Sequence, residues 1–136
     1  MHDYLVIRYG GFVPAIKICT DEHIVIRERL LDGIARGMYL EGGNIKAIVL
    51  ERRLSEIDRI YTLWHELYHY FASVHKKNES FRASEAHANY FAALSCCPHV
   101  DINHIILTIA EDNNVTFEIA RLRLQYEGMY QFNLLH

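Results

Sequence analysis

In the pentapeptide His65-Glu66-Leu67-Tyr68-His69, two imidazoles stand four residues apart with a carboxylate beside the first. On a helix, residues i and i+4 lie one turn apart on one face, so His65 and His69 can present ring nitrogens to one metal ion. Glu66 is next round the helix, close enough to reach a water on that metal without being a ligand. Two neutral nitrogen donors, an open coordination position and an adjacent carboxylate base are what a zinc hydrolase needs. The same five-residue pattern also arises by chance on charged helix faces, so its meaning depends on the elements around it.

Those elements begin with the helix itself. Ser55, followed three residues later by Asp58, predicts a capped start, and the helical pattern runs from Glu56 to Val74. Ile57, Ile60, Tyr61, Trp64, Leu67, Tyr68 and Phe71 form an apolar stripe at steps of three and four. Thr62, His65, Glu66, His69 and Ser73 fall on the other side, where a cleft is expected. A second helix is expected from Ser84 as N-cap until Pro98 stops it. It offers two candidates for the third ligand that a catalytic zinc requires, Glu85 and His87. They are about 200° apart round a helix, so only one can face the metal. Glu85 is favoured, because Asn89 at i+4 can hold a ligand in place through a hydrogen bond. His87 shares its face with Tyr90, Phe91 and Leu94 and remains the alternative. For the group that stabilises the oxyanion, Tyr68, Tyr70, His75 and Tyr126 all stay open, with Tyr68 placed in the core by periodicity.

The first third reads as strand-rich. Tyr4 to Tyr9 and Val13 to Ile18 are expected strands, with Pro14 arguing against a central position in a sheet. His23 to Ala35 is ambiguous: Ile24-Val25-Ile26 looks extended, but Ile26, Leu30, Leu31 and Ile34 have helical spacing, and a helix is the expectation. Met38–Glu41 and Ile45–Glu51, separated by Gly42-Gly43-Asn44, read as a hairpin. After Pro98, helices are expected from Ile102 to Ala110 and from Thr116 (as N-cap) to Glu127, with the turn at Asp112-Asn113-Asn114. The fold class is therefore α+β: a short antiparallel or mixed sheet over 1–51 packed on a helical part over 55–136, forming one domain.

Composition sets the outer bounds. A chain of 136 residues with 51% hydrophobic residues is sized for one domain with a real core. A formal charge of −3 argues against nucleic acid as a direct partner. No apolar run approaches a membrane span, and the start carries no basic, then apolar, signal pattern. Cys19, Cys96 and Cys97 form an odd set without metal-binding spacing, and the expected setting is reducing and cytoplasmic. Arg121 and Arg123 are the sole arginines of the closing helix pair, which reads as a packed hairpin rather than a DNA-binding one.

Three stretches together resemble the ImmA/IrrE-type metallopeptidases: residues 43–50, then Tyr61-Thr62-Leu63-Trp64-His65-Glu66-Leu67-Tyr68-His69, then Glu85-Ala86-His87-Ala88-Asn89-Tyr90-Phe91-Ala92-Ala93-Leu94 ending at Pro98. The family shows a strand, a T-L-x-H-E-L-x-H helix and an E-x-E-A-N-x-F-A-A-x-L-L-x-P helix. Residues 114–122 resemble its closing helix, so the likeness covers about the last two thirds of the chain. It implies a small zincin-like domain, zinc held by His65, His69 and Glu85 with Asn89 behind them, and Glu66 as catalytic base. His87 stands where the family usually has a second glutamate. The implied activity is zinc-dependent cleavage of a regulatory protein such as a transcriptional repressor, with the strand 45–50 holding an extended peptide. A partner is expected to supply the DNA-binding function often attached in the family. The alternatives are a metal-binding regulatory or interaction module without turnover and, more weakly, a hydrolase of small molecules. Glu66 argues against the module, since a structural zinc needs no base.

Overall fold

The computed structural model describes the backbone of residues 2–9, 13–98, 100 and 105–135, and their side chains except at 3, 6, 7, 9 and 129–135. The elements run α1 (His2–Tyr9), α2 (Ala15–Asp21), β1 (Val25–Arg29), β2 (Gly37–Gly42), β3 (Ile45–Glu51), α3 (Glu56–Val74), α4 (Phe81–Cys96), α5 (Ile106–Asn113) and α6 (Phe117–Leu135). The architecture is α+β, a three-stranded mixed sheet followed by helices.

Strand β3 is central, parallel to β1 and antiparallel to β2. Its Ile48 and Leu50 are fully buried beneath α3. The hairpin from β2 to β3 turns at Gly43-Asn44, with Gly43 at φ +58°, the conformation in which glycine carries no Cβ penalty. Helix α3 has the expected bounds, and Ser55 Oγ accepts the Asp58 N–H at 3.2 Å. At its far end Lys76 takes a left-handed φ of 52° while the Lys77 N–H reaches the Ala72 carbonyl at 3.0 Å, a Schellman closure.

Three expectations for the first third are overturned. Residues 2–9 are helical: Leu5 goes fully into the core, Tyr4 sets its ring edge-on to Phe71, and the Tyr4 hydroxyl donates to Glu22 at 3.0 Å. The expected strand 13–18 is instead helix α2. Its buried Ala15, Ile18 and Cys19 follow helical spacing, and Pro14 serves as its N-cap. The expected helix 23–35 is replaced by β1 and a turn, because the parallel register of Val25–Arg29 on β3 satisfies the backbone, and Ile34 is left 84% exposed. Glu22 ties these pieces together, accepting from Tyr4 and from Tyr70 (2.8 Å) and pairing with Arg8 at 2.8 Å.

Helix α4 starts one turn earlier than expected. Ser80 is its N-cap, accepting the Ala83 N–H at 3.1 Å, which frees Ser84 to face α3. Thr116 caps α6 as expected, accepting the Ile119 N–H at 3.2 Å, but α6 continues well past Glu127 and Asn114 alone makes the left-handed turn before it. The expected start of the preceding helix at Ile102 lies outside the described residues; α5 is described from Ile106. Arg123 is buried and donates to the Cys97 carbonyl at 3.0 Å, stapling α6 to the end of α4. Cys19, Cys96 and Cys97 are free thiols, with Cys19 and Cys97 buried.

The apolar stripe of α3 meets α4 through Trp64, Tyr68 and Phe71 against Phe91. The opposite flank is buried as well. Gly37 of β2 comes so close that a Cβ there would stand 2.7 Å from Thr62 Cγ2 and 3.3 Å from Glu66 Cγ. This is why Thr62 and Glu66, both on the expected polar side, are buried. A Gly37→Ala substitution should cost about 1–3 kcal/mol by overpacking. At Gly42, where a Cβ meets nothing within 4 Å, the same change should leave the urea midpoint nearly unmoved. Equal midpoints for the two variants would remove the tight approach as an explanation.

Candidate metal centre

The antiparallel pair α3 and α4, with β2 alongside, encloses a cleft of about 980 Å³. His65 and His69 line it from α3 as the helical spacing requires, and Glu85 lines it from the second turn of α4. Their donor atoms converge. The two Nε2 atoms are 3.4 Å apart, Glu85 Oε2 is 3.3 Å from His65 Nε2, and Glu85 Oε1 is 2.9 Å from His69 Nε2. Two ligands at about 2.1 Å from a tetrahedral zinc are separated by about 3.4 Å. The three side chains therefore fit a single metal ion, and they are the one such group of His, Cys, Asp or Glu among the described residues.

The outer ring nitrogens are occupied in the way metal-holding histidines need. His65 Nδ1 lies 2.9 Å from Asn89 Oδ1, an acceptor, so the proton sits on Nδ1 and the Nε2 lone pair faces Glu85 and His69. His69 Nδ1 lies 3.3 Å from the Ser84 hydroxyl. Burial lowers the pKa of His65, as does His69, against the opposing pull of Glu85, which keeps the ring neutral and able to donate its lone pair. Asn89 lines the cleft beside His65. Ser84, expected as a cap, and Tyr61, assigned to the core stripe, both line the cleft, and the Tyr61 hydroxyl donates to Asn89 Oδ1 at 3.4 Å. Tyr61 had a signal: it precedes His65 by four residues and so shares the face of both histidines.

His87 lies elsewhere. Its side chain is exposed, its Nδ1 contacts Glu79 and its ring lies beside that of Tyr68, and it is not among the residues that line the cleft. None of Tyr68, Tyr70, His75 and Tyr126 is among the cleft-lining residues. Tyr68 donates to Glu79 at 2.5 Å and Tyr70 to Glu22, His75 ends α3, and Tyr126 packs on Tyr90.

Glu66 is buried at the cleft floor, 3.9 Å from His65 Nε2, and receives the Tyr39 backbone N–H. Desolvation, reinforced by the negative charge of Glu85, pushes its carboxyl up to about 7 in the metal-free protein, in the range suited to a general base.

The Peptidase_M78 family model, described as the IrrE N-terminal-like domain, matches residues 19–125. No curated protein and no solved structure matches the chain. No helix among the described residues is long and apolar enough to cross a membrane.

Two measurements check this geometry. Zinc content by mass spectrometry should fall in Glu85→Ala and persist in His87→Ala, and Asn89→Ala should weaken zinc affinity by about 10–100-fold; the reverse order for Glu85 and His87 would reassign the ligand. The second concerns pH. An unfolded glutamate loses its proton near 4.5 whereas native Glu66 keeps it to about 7, so between these values the native state binds more protons. Stability of the metal-free protein should fall as pH rises through that window, by about 3 kcal/mol once above pH 7. Metal-free Glu66→Gln should lack this fall and be the more stable at pH 8; identical urea midpoints there would refute the burial argument. The family match over residues 19–125, together with a histidine, histidine and glutamate cluster that can hold a metal, leads to one conclusion: this chain belongs to the IrrE N-terminal-like family of metallopeptidases.

Proposed function

We propose that the protein is a zinc endopeptidase in which His65, His69 and Glu85 hold the metal and Glu66 is the general base, the whole chain acting as one domain. The observation that carries this reading is the convergence of three ligand atoms at tetrahedral spacing with a buried carboxylate beside them. Two nitrogen donors and one carboxylate, with a position left open, suit catalytic zinc. When bound, zinc supplies Lewis-acid polarisation to water and to the scissile carbonyl. Glu66 takes a proton from the attacking water as its oxygen bonds to the carbonyl carbon. It returns that proton to the amide nitrogen as the C–N bond breaks, giving a free carboxylic acid and an amine. Asn89 and Ser84 keep the two imidazoles in register, and Tyr39 N–H holds the Glu66 carboxylate in position.

Substrate pairing moves to a different strand from the one expected. Among the described residues, strand β3 is flanked on both sides and has no free edge, whereas β2 pairs on one side only and lines the cleft. An extended peptide therefore adds to β2, with backbone hydrogen bonds supplying affinity. A cytoplasmic repressor-type protein is the substrate class implied by the likeness to ImmA/IrrE-type peptidases. Burial of Glu66 with a raised carboxyl supports turnover over a binding-only module, which would gain nothing from so costly a group.

The zinc-loaded protein should cleave unfolded or loop-bearing regulatory proteins, with Glu66→Gln keeping its zinc and losing activity by about a hundredfold or more. Unchanged cleavage in that variant would sink the mechanism.

A further inference from the structure

The cleft has two chemically different ends, set by the directions of its walls. Along α3, Tyr61 and His65 face Asn89, His69 faces Ser84, and Tyr68 reaches Glu79. Strand β2 runs the same way as α3: Gly37 sits on Thr62 and Glu66, Tyr39 on Tyr70, and Glu41 on Ser73. Antiparallel pairing is the commoner and slightly stronger strand arrangement. A peptide paired that way with β2 directs its residues C-terminal to the scissile bond towards Gly37 and Arg36. Its N-terminal residues run towards Leu40 and Phe81.

The end nearer Arg36 is built from a fixed turn. Asp32 and Gly33 take positive φ values of 51° and 78°, and the Ile34 N–H closes on the Leu31 carbonyl at 3.0 Å. Both limbs are tied to Glu51: its carboxylate accepts the Leu31 N–H at 2.6 Å, and its own N–H donates to the Arg36 carbonyl at 2.8 Å. This anchored turn presents exposed Ile34 and Arg36 to the cleft. Among the described residues Arg36 is the one Lys or Arg lining it, its side chain is 62% exposed, and the carboxylate it contacts there is Asp58 at 3.4 Å. A guanidinium has five N–H donors in a fork shaped for carboxylates, so one such contact leaves donors for a second. Of the cleft's carboxylates, Glu66 and Glu85 belong to the metal centre, and Glu79 is engaged by Tyr68 and His87.

We propose that Arg36 is a specificity-determining residue that receives a substrate carboxylate on the C-terminal side of the scissile bond. This rests on the peptidase reading and names the substrate class it acts on: peptides with Asp, Glu or a free C-terminus within a few residues after the cut. A partly exposed ion pair supplies a preference of about fivefold, weakened by salt.

The test uses the zinc-loaded full chain and a library of decapeptides, N-terminally blocked, with cleavage sites and kcat/KM read by mass spectrometry. Matched peptides carry Glu, Gln or Lys at each position after the cut, and each is made with a free and an amidated C-terminus. Wild type should prefer Glu to Gln by about fivefold at one such position, or the free to the amidated terminus, which separates the two sources of carboxylate. The Glu-to-Gln ratio should collapse in Arg36→Gln, return in part in Arg36→Lys, and invert in favour of Lys in Arg36→Glu. Ratios within one variant cancel any general loss of folding. A flat ratio in wild type, a preference on the N-terminal side, or a ratio unchanged by Arg36→Glu would overturn the proposal while leaving the peptidase standing. If nothing in the library is cleaved, capture of the same peptides by zinc-loaded Glu66→Gln protein decides: acid-selective capture lost in Arg36→Glu/Glu66→Gln supports the Arg36 site, and unselective or absent capture overturns it.

Discussion

Helix α3 carries His65, Glu66 and His69 into the seam between β2 and α4, and burying ionisable groups there is costly unless something offsets it. The surrounding structure supplies each offset locally. Asn89 and Ser84 occupy the outer nitrogens of the histidines, Glu85 comes in between the inner ones, and a strand N–H meets Glu66. The carboxyl of Glu66 nonetheless rises to about 7, because one N–H does not cancel desolvation and the nearby Glu85 charge. A cation placed among these donors removes the conflict, since it favours both carboxylates in their charged form.

Two close approaches make that seam. On one flank, aromatic packing of Trp64, Tyr68 and Phe71 against Phe91 fixes α4, and fully buried alanines at 88, 92 and 93 allow tight packing of that helix. On the other flank, Gly37 lets β2 lie directly on Thr62 and Glu66. The first contact sets the distance from the histidines to Glu85; the second brings the Tyr39 N–H to Glu66 and leaves the outer edge of β2 along the cleft. Helices α1 and α2 stand behind this arrangement. Their anchor, Glu22, binds the Tyr70 hydroxyl of α3, and neither residue lines the cleft.

Local chemistry made much of this legible. Ser55 capped α3 where its hydroxyl and the first-turn Asp58 predicted, and the i, i+4 spacing of His65 and His69 carried both rings to one face. Gly42-Gly43-Asn44 marked the hairpin because its turn needs positive φ. The pairing of Glu85 with Asn89 was visible as helical spacing, though which of Glu85 and His87 turns to the histidines depended on how α4 is rotated. Ser80, not Ser84, begins α4, and Ser84 is thereby available to His69.

What the sequence by itself determined was therefore short-range: a capped helix bearing two histidines and a carboxylate, a tight hairpin before it, and a second helix with candidate ligands. These follow from hydrogen bonds and side-chain spacing within a few residues. What only the tertiary structure decided was which surface covers each residue. Residues 4–9 and 15–18 have strand-like composition, yet they are helical: Leu5 goes fully into the core, and Ala15, Ile18 and Cys19 bury at helical spacing. Strand β3, the stronger strand in the sequence, became the covered centre of the sheet, and the weaker β2 became the open edge. Thr62 and Glu66 are polar by type and buried by position, because a glycine in a distant strand lets the sheet close over them. Burial is a property of the partner surface as much as of the residue, and periodicity along one element carries no record of its partner.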